Sequence, residues 1–374
     1  MTPRRLVIGP VPDTTEGGMR LILAPTHPMN AGFLILECDI SDDCVRAAEP
    51  RPGAMHRGAE MLFEVRDFRS SLSLANRHDW QAPVFGELAI ALLVEAELGV
   101  GVPERATWLR TLLAEHQRVL SHLGHLTHVG WALGRPGLGT DTVREELRRR
   151  TAELTGNRLH PAAVRLGGVA VDADAAWADA ERSTMTDAAA LAAALGEALD
   201  ESGLGRGVAP VTVDVVHQYG LGGPVARASG VPGDLRVDAP HLAYGALSDL
   251  LAAPDAPTTG DAHARFAWLA AEVGQSAALV RRCLDELPAG ELSVRLPNVV
   301  KLPEGDSHVS LEAPLGRAGV FVVSRGDKTP WRLSLRTPSL ANVSAWPAAL
   351  PGTPVAELPT AVASLPYVAG DLDK

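Results

Sequence analysis

Three stretches of the chain carry side chains whose type and spacing could do chemistry. The first, THPMNAG at residues 26–32, places His27 ahead of a proline. Proline fixes its own φ and restricts the residue before it, so this is a stiff turn. Its imidazole is either a working group that titrates near neutral pH or a turn residue and nothing more. The second, NRHDW at 76–80, gathers a guanidinium, an imidazole (His78), a carboxylate (Asp79) and the indole N–H of Trp80. The same stretch also reads as a helix C-terminus whose cations satisfy the dipole, with Asp79 capping the next helix. The third is a run of histidines, His116, His122, His125 and His128, preceded by Glu115. Steps of three residues fan the last three over roughly 120° of helix surface, whereas a metal needs ligands that converge on one point. No HExxH is present. The spacing therefore favours polar-face or packing histidines, and no metal ligand set is expected.

Other chemistries find little support. There is no G-x-S-x-G elbow, and Cys38, Cys44 and Cys283 form neither a CxxC pair nor a zinc spacing. Such cysteines read as thiols of a reducing compartment. The glycine-rich SGLGRGVAP follows a helix instead of a strand and has no acidic residue at the required distance, so a dinucleotide reading fails on context. With 45 acidic against 34 basic residues and a net charge of −11, nucleic acid is not an expected partner. The most apolar stretch, FGELAIALLVEAELGVGV, is interrupted by Glu87, Glu95 and Glu97 and falls short of the ~18 apolar residues of a membrane span. The first ten residues lack the pattern of a signal peptide. The expectation is a cytosolic chain able to dock on a membrane protein.

The elements that must position these groups follow from periodicity. RLILAP and FLILECDI read as two strands joined by the THPMNAG turn, with ISDDC and EPRPG as loops. From about residue 54, HRGAEMLFEVRDFRSSLSLANR spaces Met61, Leu62, Val65, Phe68, Leu72 and Leu74 as a helix. Pro83 opens a second helix that is apolar on nearly every side, and Pro103 stands at the start of a third, about thirty residues long. TVREELRRRTAEL is a charged helix closed by Thr155-Gly156-Asn157, and the alanine-rich 172–202 is expected to face solvent. GDAHARFAWLAAEVGQSAALVRRCLDEL gives another long helix. β-like pieces follow in ELSVRLP, SHVSLEAP, GVFVVSRG and PWRLSLRTP, then a short helix near PSLANVSAWPAAL. The class is α+β: a helical core over 51–290 with β at both ends, 1–50 and 291–374, packed as one continuous domain.

Taken in order, several of these segments resemble a known family. They are THPMNAG; MHRGAEM; NRHDW; VPERATWLRTLLAEHQRVLSHL; LTGNRLHPAAVRLGGV; YGLGGPVARASGVPGDLR; GD followed by Arg265; LEAPLGRAGVFVVSRG; and RTPSLAN. No single piece decides, but the ordered set resembles the D subunit of the bacterial NADH–quinone oxidoreductase, respiratory complex I. That subunit is itself related to the large subunit of nickel–iron hydrogenases. The resemblance implies a helical-bundle fold like that large subunit. It also implies a peripheral protein on the cytoplasmic side of the cell membrane. Its partners there would be the iron–sulfur (B) subunit, the C subunit and the membrane-arm subunits. The chain would bind no cofactor itself. Quinone would be the substrate, and the iron–sulfur cluster would sit on the neighbouring subunit.

The resemblance further implies that the turn carries a second histidine for the quinone head group, and that a tyrosine at the corner holds the other quinone oxygen. Here those positions are Ala31 and Trp80; His27 and Asp79 are retained. Quinone reduction takes two electrons and two protons, and an indole N–H donates a hydrogen bond but delivers no proton. Other departures are Met61 for a lysine, Leu315 and Arg317 for an arginine and an acid, and Pro366 for an acid. The cysteine pairs of the hydrogenases are absent. Two expectations follow. One is a working subunit with a rewired site: His27, His78 and Asp79 for proton chemistry, and a quinone chamber at His27, Asn30, Ala31 and Trp80. The other is a non-catalytic scaffold that keeps only its docking surfaces.

Overall fold

The computed structural model describes residues 4–9, 19–23, 27, 29 and 33–374; Asn30 and Ala31 lie outside the described residues. The N-terminal sheet contains β1 (Arg4–Ile8), β2 (Met19–Arg20), β3 (Ile35–Ser41) and β4 (Cys44–Arg51) in the order β2-β1-β3-β4. This differs from the expected hairpin. The strand that includes Arg20 is short and pairs parallel with β1, and β3 lies antiparallel between β1 and β4. The tight turn of the sheet is Asp42-Asp43, both at positive φ (53° and 55°), with Ser41 paired to Cys44 across it. Short acidic residues tolerate that conformation, and two such residues match the right-handed twist of a hairpin. What read as a loop signal is therefore a hairpin turn, and the segment after it is a strand.

The helix expected from residue 54 is broken in two. α1 (Ala59–Glu64) ends before Asp67, which caps α2 (Phe68–Ala75) by accepting from the Ser70 N–H at 2.9 Å. Met61, Leu62 and Val65 are consequently exposed, while Phe63, Phe68 and Leu72 face the core. α3 (Pro83–Leu98) starts at Pro83 as expected and is buried on most sides. α4 (Glu104–Ala132) is buried over most of its length, because α10 (Ala262–Asp285), α3, α5 (Asp141–Thr155) and α6 (Ala175–Ser202) all pack on it. α6 is not wholly solvent-facing: Trp177, Glu181, Met185, Ala192 and Leu195 form a buried stripe against α5 and α10.

The glutamates that interrupt α3 anchor a two-stranded ribbon, β5 (Val164–Arg165) and β6 (Gly168–Val169). Glu87 accepts from the Val164 N–H at 2.7 Å, and Glu95 accepts from the Gly167 N–H at 2.7 Å. Glu95 also takes a bidentate guanidinium from Arg110 of α4 at 2.6 and 2.7 Å. Gly168 is needed there, since a Cβ would stand 2.1 Å from the Leu292 carbonyl oxygen.

Ahead of α10 come three short helices, α7 (Val213–Tyr219), α8 (Gly223–Ala228) and α9 (Leu235–Asp238), the last two within the glycine-rich YGLGGPVARASGVPGDLR stretch and its end. After α10, ELSVRLP makes only an isolated bridge from Ser293 to Gly168. The other three β-like pieces form the antiparallel sheet β7 (Glu304–Ala313), β8 (Gly316–Arg325) and β9 (Arg332–Arg336). The chain closes with α11 (Pro338–Ser344), α12 (Trp346–Ala349), α13 (Leu358–Ser364) and α14 (Ala369–Leu372). The main hydrophobic core draws residues from all three parts, among them Leu36, Leu112 and Leu333. Among the described residues, no helix is long and apolar enough to cross a membrane.

Candidate functional site

The corner after α2 is set by its capping. Asn76 closes the helix and passes its side-chain amide to Glu87, and the Asp79 carboxylate accepts from the Gln81 and Ala82 N–H groups at 2.9 and 3.1 Å. Asp79 therefore closes the turn ahead of α3 and does not cap that helix, whose N-cap is Ala82 without a side-chain bond. It is also buried opposite Asp371 of α14, which accepts from the Ser339 N–H at 3.1 Å. Burial, and for Asp79 the facing Asp371 carboxyl, pushes both acids well above the usual carboxylate range. Two adjacent buried carboxyls in this state hold a proton near neutral pH.

His78 stands beside them. Its ring stacks on Phe63 with centroids 5.7 Å apart, and neither ring nitrogen meets a hydrogen-bond partner among the described residues. Burial pushes it down to about 4, so it is neutral. His78, Asp79 and Asp371 line one cavity of about 40 Å³ with Thr337, whose hydroxyl is likewise unpartnered among the described residues. That space holds about two or three waters, and its walls offer the polar partners they need.

Trp80 forms the other side of the corner. It packs on Gly370, where a Cβ would stand 2.5 Å from both the indole ring and the His78 carbonyl oxygen. Beyond it opens a cavity of about 450 Å³, whose lining includes Phe33, Met55, Trp80 and Leu120 together with Arg144, Arg148 and Arg158. The C-terminal residues finish the corner from behind. Asp373 accepts from the Gly53 and Met55 N–H groups at 2.8 Å each, and Asn342 donates to the Pro366 carbonyl at 2.9 Å. Gly370, Asp371 and Thr337 are the residues that sequence reasoning missed. The only signal was a conspicuous GD pair near the end of the chain.

His27 is not brought to this corner. Its Nδ1 accepts from the Met29 N–H at 3.0 Å, which leaves Nε2 to donate to the Pro359 carbonyl at 2.8 Å. Both ring nitrogens are thereby engaged by backbone, and the ring meets His128 edge-on with centroids 5.2 Å apart. Burial holds both imidazoles below their ordinary value. The remaining α4 histidines diverge. His116 bonds Glu181 at 2.6 Å and Thr151 at 2.9 Å, and His122 bonds Glu272 at 3.1 Å. His125 is buried with neither nitrogen partnered among the described residues.

A second polar assembly crosses the core. Glu115 accepts from Tyr244 and Ser276 at 2.6 Å each and pairs with Arg118 and Arg236 at 3.2 Å. Arg227 pairs with Glu272 at 2.6 Å and with Glu312 at 2.8 Å, while Arg236 pairs with Asp234 at 2.7 Å. The flanking arginines hold the Glu115 and Glu272 carboxyls below the ordinary range despite their burial. Every carboxylate in this assembly has a cationic partner. Together they tie α4, α8, α9, α10 and β7 to one another.

Fold and corner together define a mixed helix-and-sheet subunit with a buried acid pair behind an aromatic-lined cavity. The family model of the respiratory-chain NADH dehydrogenase 49 kDa subunit matches residues 136–300 and 296–374. The chain is 43% identical to the NADH-quinone oxidoreductase D subunit numbered 1 of Streptomyces coelicolor, over 98% of this chain and 97% of that one. It is 42% identical to the D subunit numbered 2 of Streptomyces griseus, over 100% and 96%. Among solved structures it is similar to a chain of the membrane-bound sulfane sulfur reductase, an archaeal respiratory membrane complex. There the TM-score is 0.83 and the identity 28%, covering 91% of this chain and 94% of that one. The chain belongs to the family of the 49 kDa, or D, subunit of respiratory NADH dehydrogenases.

Proposed function

We propose that this chain is the D-type subunit of an NADH–quinone oxidoreductase and forms a wall of its quinone-reducing chamber, active only in the assembled complex. Family membership supports the activity, and relatives named for it do not favour the scaffold reading. The partners in this reading are the iron–sulfur (B) subunit, the C subunit and membrane-arm subunits, with the chain peripheral on the cytoplasmic face. The 1–50, 51–290 and 291–374 segments act as one continuous domain, in keeping with their shared core.

The observation that carries the site is the Asp79–Asp371 pair with the unpartnered His78, set directly behind Trp80. Trp80 donates a hydrogen bond to a quinone oxygen. Because an indole cannot release a proton, the acid pair supplies one of the two protons through the water-sized cavity and regains it from solvent water, which also supplies the second, while the two electrons come from the neighbouring iron–sulfur subunit. His27, with both nitrogens engaged, is a positioning residue that ties its turn to α13. The test is quinone reduction by the assembled complex carrying Asp371→Asn, His78→Phe or Trp80→Phe. Asp371→Asn is expected to lower kcat by about 10²-fold and to change its pH profile. Unchanged turnover in all three variants would sink this site. Full assembly with no quinone reduction by the parent complex would sink the function.

A further inference from the structure

We propose that the groove between α9 and the loop at 251–258 is a docking site for another subunit, one that lays an apolar segment into it and sets lysine or arginine side chains against its two lips. This rests on the chain working as a subunit of a larger assembly. It does not rest on the quinone chamber, whose cavities share no lining residue with the groove.

The groove is built without help from a partner. Its floor is one face of α10, where Trp268, Glu272 and Gln275 follow one another at helical spacings of four and three. Both lips are pinned. The Trp268 indole N–H donates to the Pro257 carbonyl at 2.9 Å, and the Gln275 amide donates to the Ala252 carbonyl at 2.9 Å, which fixes the loop. On the α9 side, Arg227 pairs with Glu272 and donates to the Gly233 carbonyl at 2.9 Å, and the N-cap Asp234 pairs with Arg236. A surface already fixed in shape gives up little entropy when it is covered.

The space between the lips is about 630 Å³, and much of its wall is apolar: Pro232, Val237, Leu251, Ala253, Pro254 and Trp268. Val237 is 51% exposed, and Ala253 is exposed as well. Apolar surface held open to water inside a polar rim marks a contact surface. A small cation alone would leave these walls wet, whereas a peptide segment covers them and brings its own charge.

The rim sets the sign of that charge. Four carboxylates and two guanidiniums line the groove. Both guanidiniums are taken, Arg227 by Glu272 and Glu312, and Arg236 by Asp234 and Glu115. Asp238 on one lip and Asp255 on the other remain. Both are exposed, and neither has a cationic partner among the described residues. Uncompensated negative charge on both edges of an apolar groove favours a segment that is basic at its edges and apolar between, and repels acidic segments and anionic lipid.

The test uses the intact purified complex, with carboxyls coupled to glycine ethyl ester by a water-soluble carbodiimide and read residue by residue by mass spectrometry. Asp238 and Asp255 are expected to be protected relative to Asp187, an exposed carboxylate of α6, and to lose that protection as salt is raised. Asp255→Lys removes no hydrogen bond among the described residues. It is expected to weaken retention of one other subunit about tenfold at fixed salt, while Asp255→Glu keeps it. Val237→Glu is expected to act like Asp255→Lys, from the apolar side. Labelling of Asp238 and Asp255 as fast as Asp187 in an assembled complex would overturn the docking site and leave the subunit reading standing. Protection of Asp238 that survives Asp255→Lys, with unchanged subunit content, would overturn it too, and would mean that lipid or an uncharged segment covers the groove. A chain that purifies with no other subunit would overturn both readings.

Discussion

Glu87 shows how a single residue in this protein does something its sequence context hides. In an apolar run it looks like an interruption, yet it bonds both the Asn76 amide and the Val164 N–H. Burial pushes its carboxyl up to about 7, against an ordinary value of 4.5. The folded state therefore favours the protonated form. Its contribution to stability is fully present below about pH 4.5 and is lost as pH rises through about 7. Glu87→Gln, with the Asn76 amide turned to match, is expected to remove this loss. It should flatten the pH dependence of unfolding in that window by on the order of 3 kcal/mol, read from denaturant titrations at several pH values. At the same scale, His27 and His78, which the sequence offered alike for proton chemistry, differ in what their ring nitrogens meet. A turn histidine that looked available is locked by two backbone groups, and one inside a helix-end corner keeps both nitrogens free of partners among the described residues.

Elements are held to one another by ion pairs placed where helices alone would slide. Arg110 of α4 reaches Glu95 of α3 and the carbonyls of Arg165 and Gly168 in the β5–β6 ribbon. Arg110→Met leaves the Glu95 carboxylate buried without its cation. It is expected to destabilise the chain by roughly 3–5 kcal/mol, with Glu95→Leu added to it recovering a large part. Chemical denaturation of the two variants checks this. The helices themselves were legible: α3, α4, α5 and α10 start and stop where proline, glycine and apolar spacing placed them. The break between α1 and α2 was not, because Asp67 competes for the backbone as a cap while the apolar spacing runs on through it. The β3–β4 hairpin escaped for the opposite reason. Its turn residues are aspartates, which signal a loop but also tolerate the left-handed conformation a hairpin needs.

At the scale of the whole molecule, the C-terminal residues complete what the N-terminal part begins. Asp373 pins the loop after β4, Asp371 faces Asp79, and Gly370 lets Trp80 lie against the backbone. Gly370→Ala is expected to push the indole aside, lowering stability by roughly 1–3 kcal/mol. It should also change the Trp80 contribution to fluorescence, measured as the difference from the same variant carrying Trp80→Phe. If Trp80 contacts the quinone, KM for quinone rises as well.

The sequence by itself determined the family, the α+β class and the helical core. Those rest on local propensity, apolar periodicity and an ordered set of motifs that survive without knowledge of contacts. It also named the corner at residues 76–80 and the two positions, 31 and 80, where the expected quinone partners are replaced. Only the tertiary structure decided which groups in that corner are free. Whether a ring nitrogen is satisfied depends on a carbonyl 332 residues away, as between His27 and Pro359. Whether a carboxyl keeps its proton depends on burial against another acid near the C-terminus. Such pairings are set by packing across the chain, and no local pattern records them.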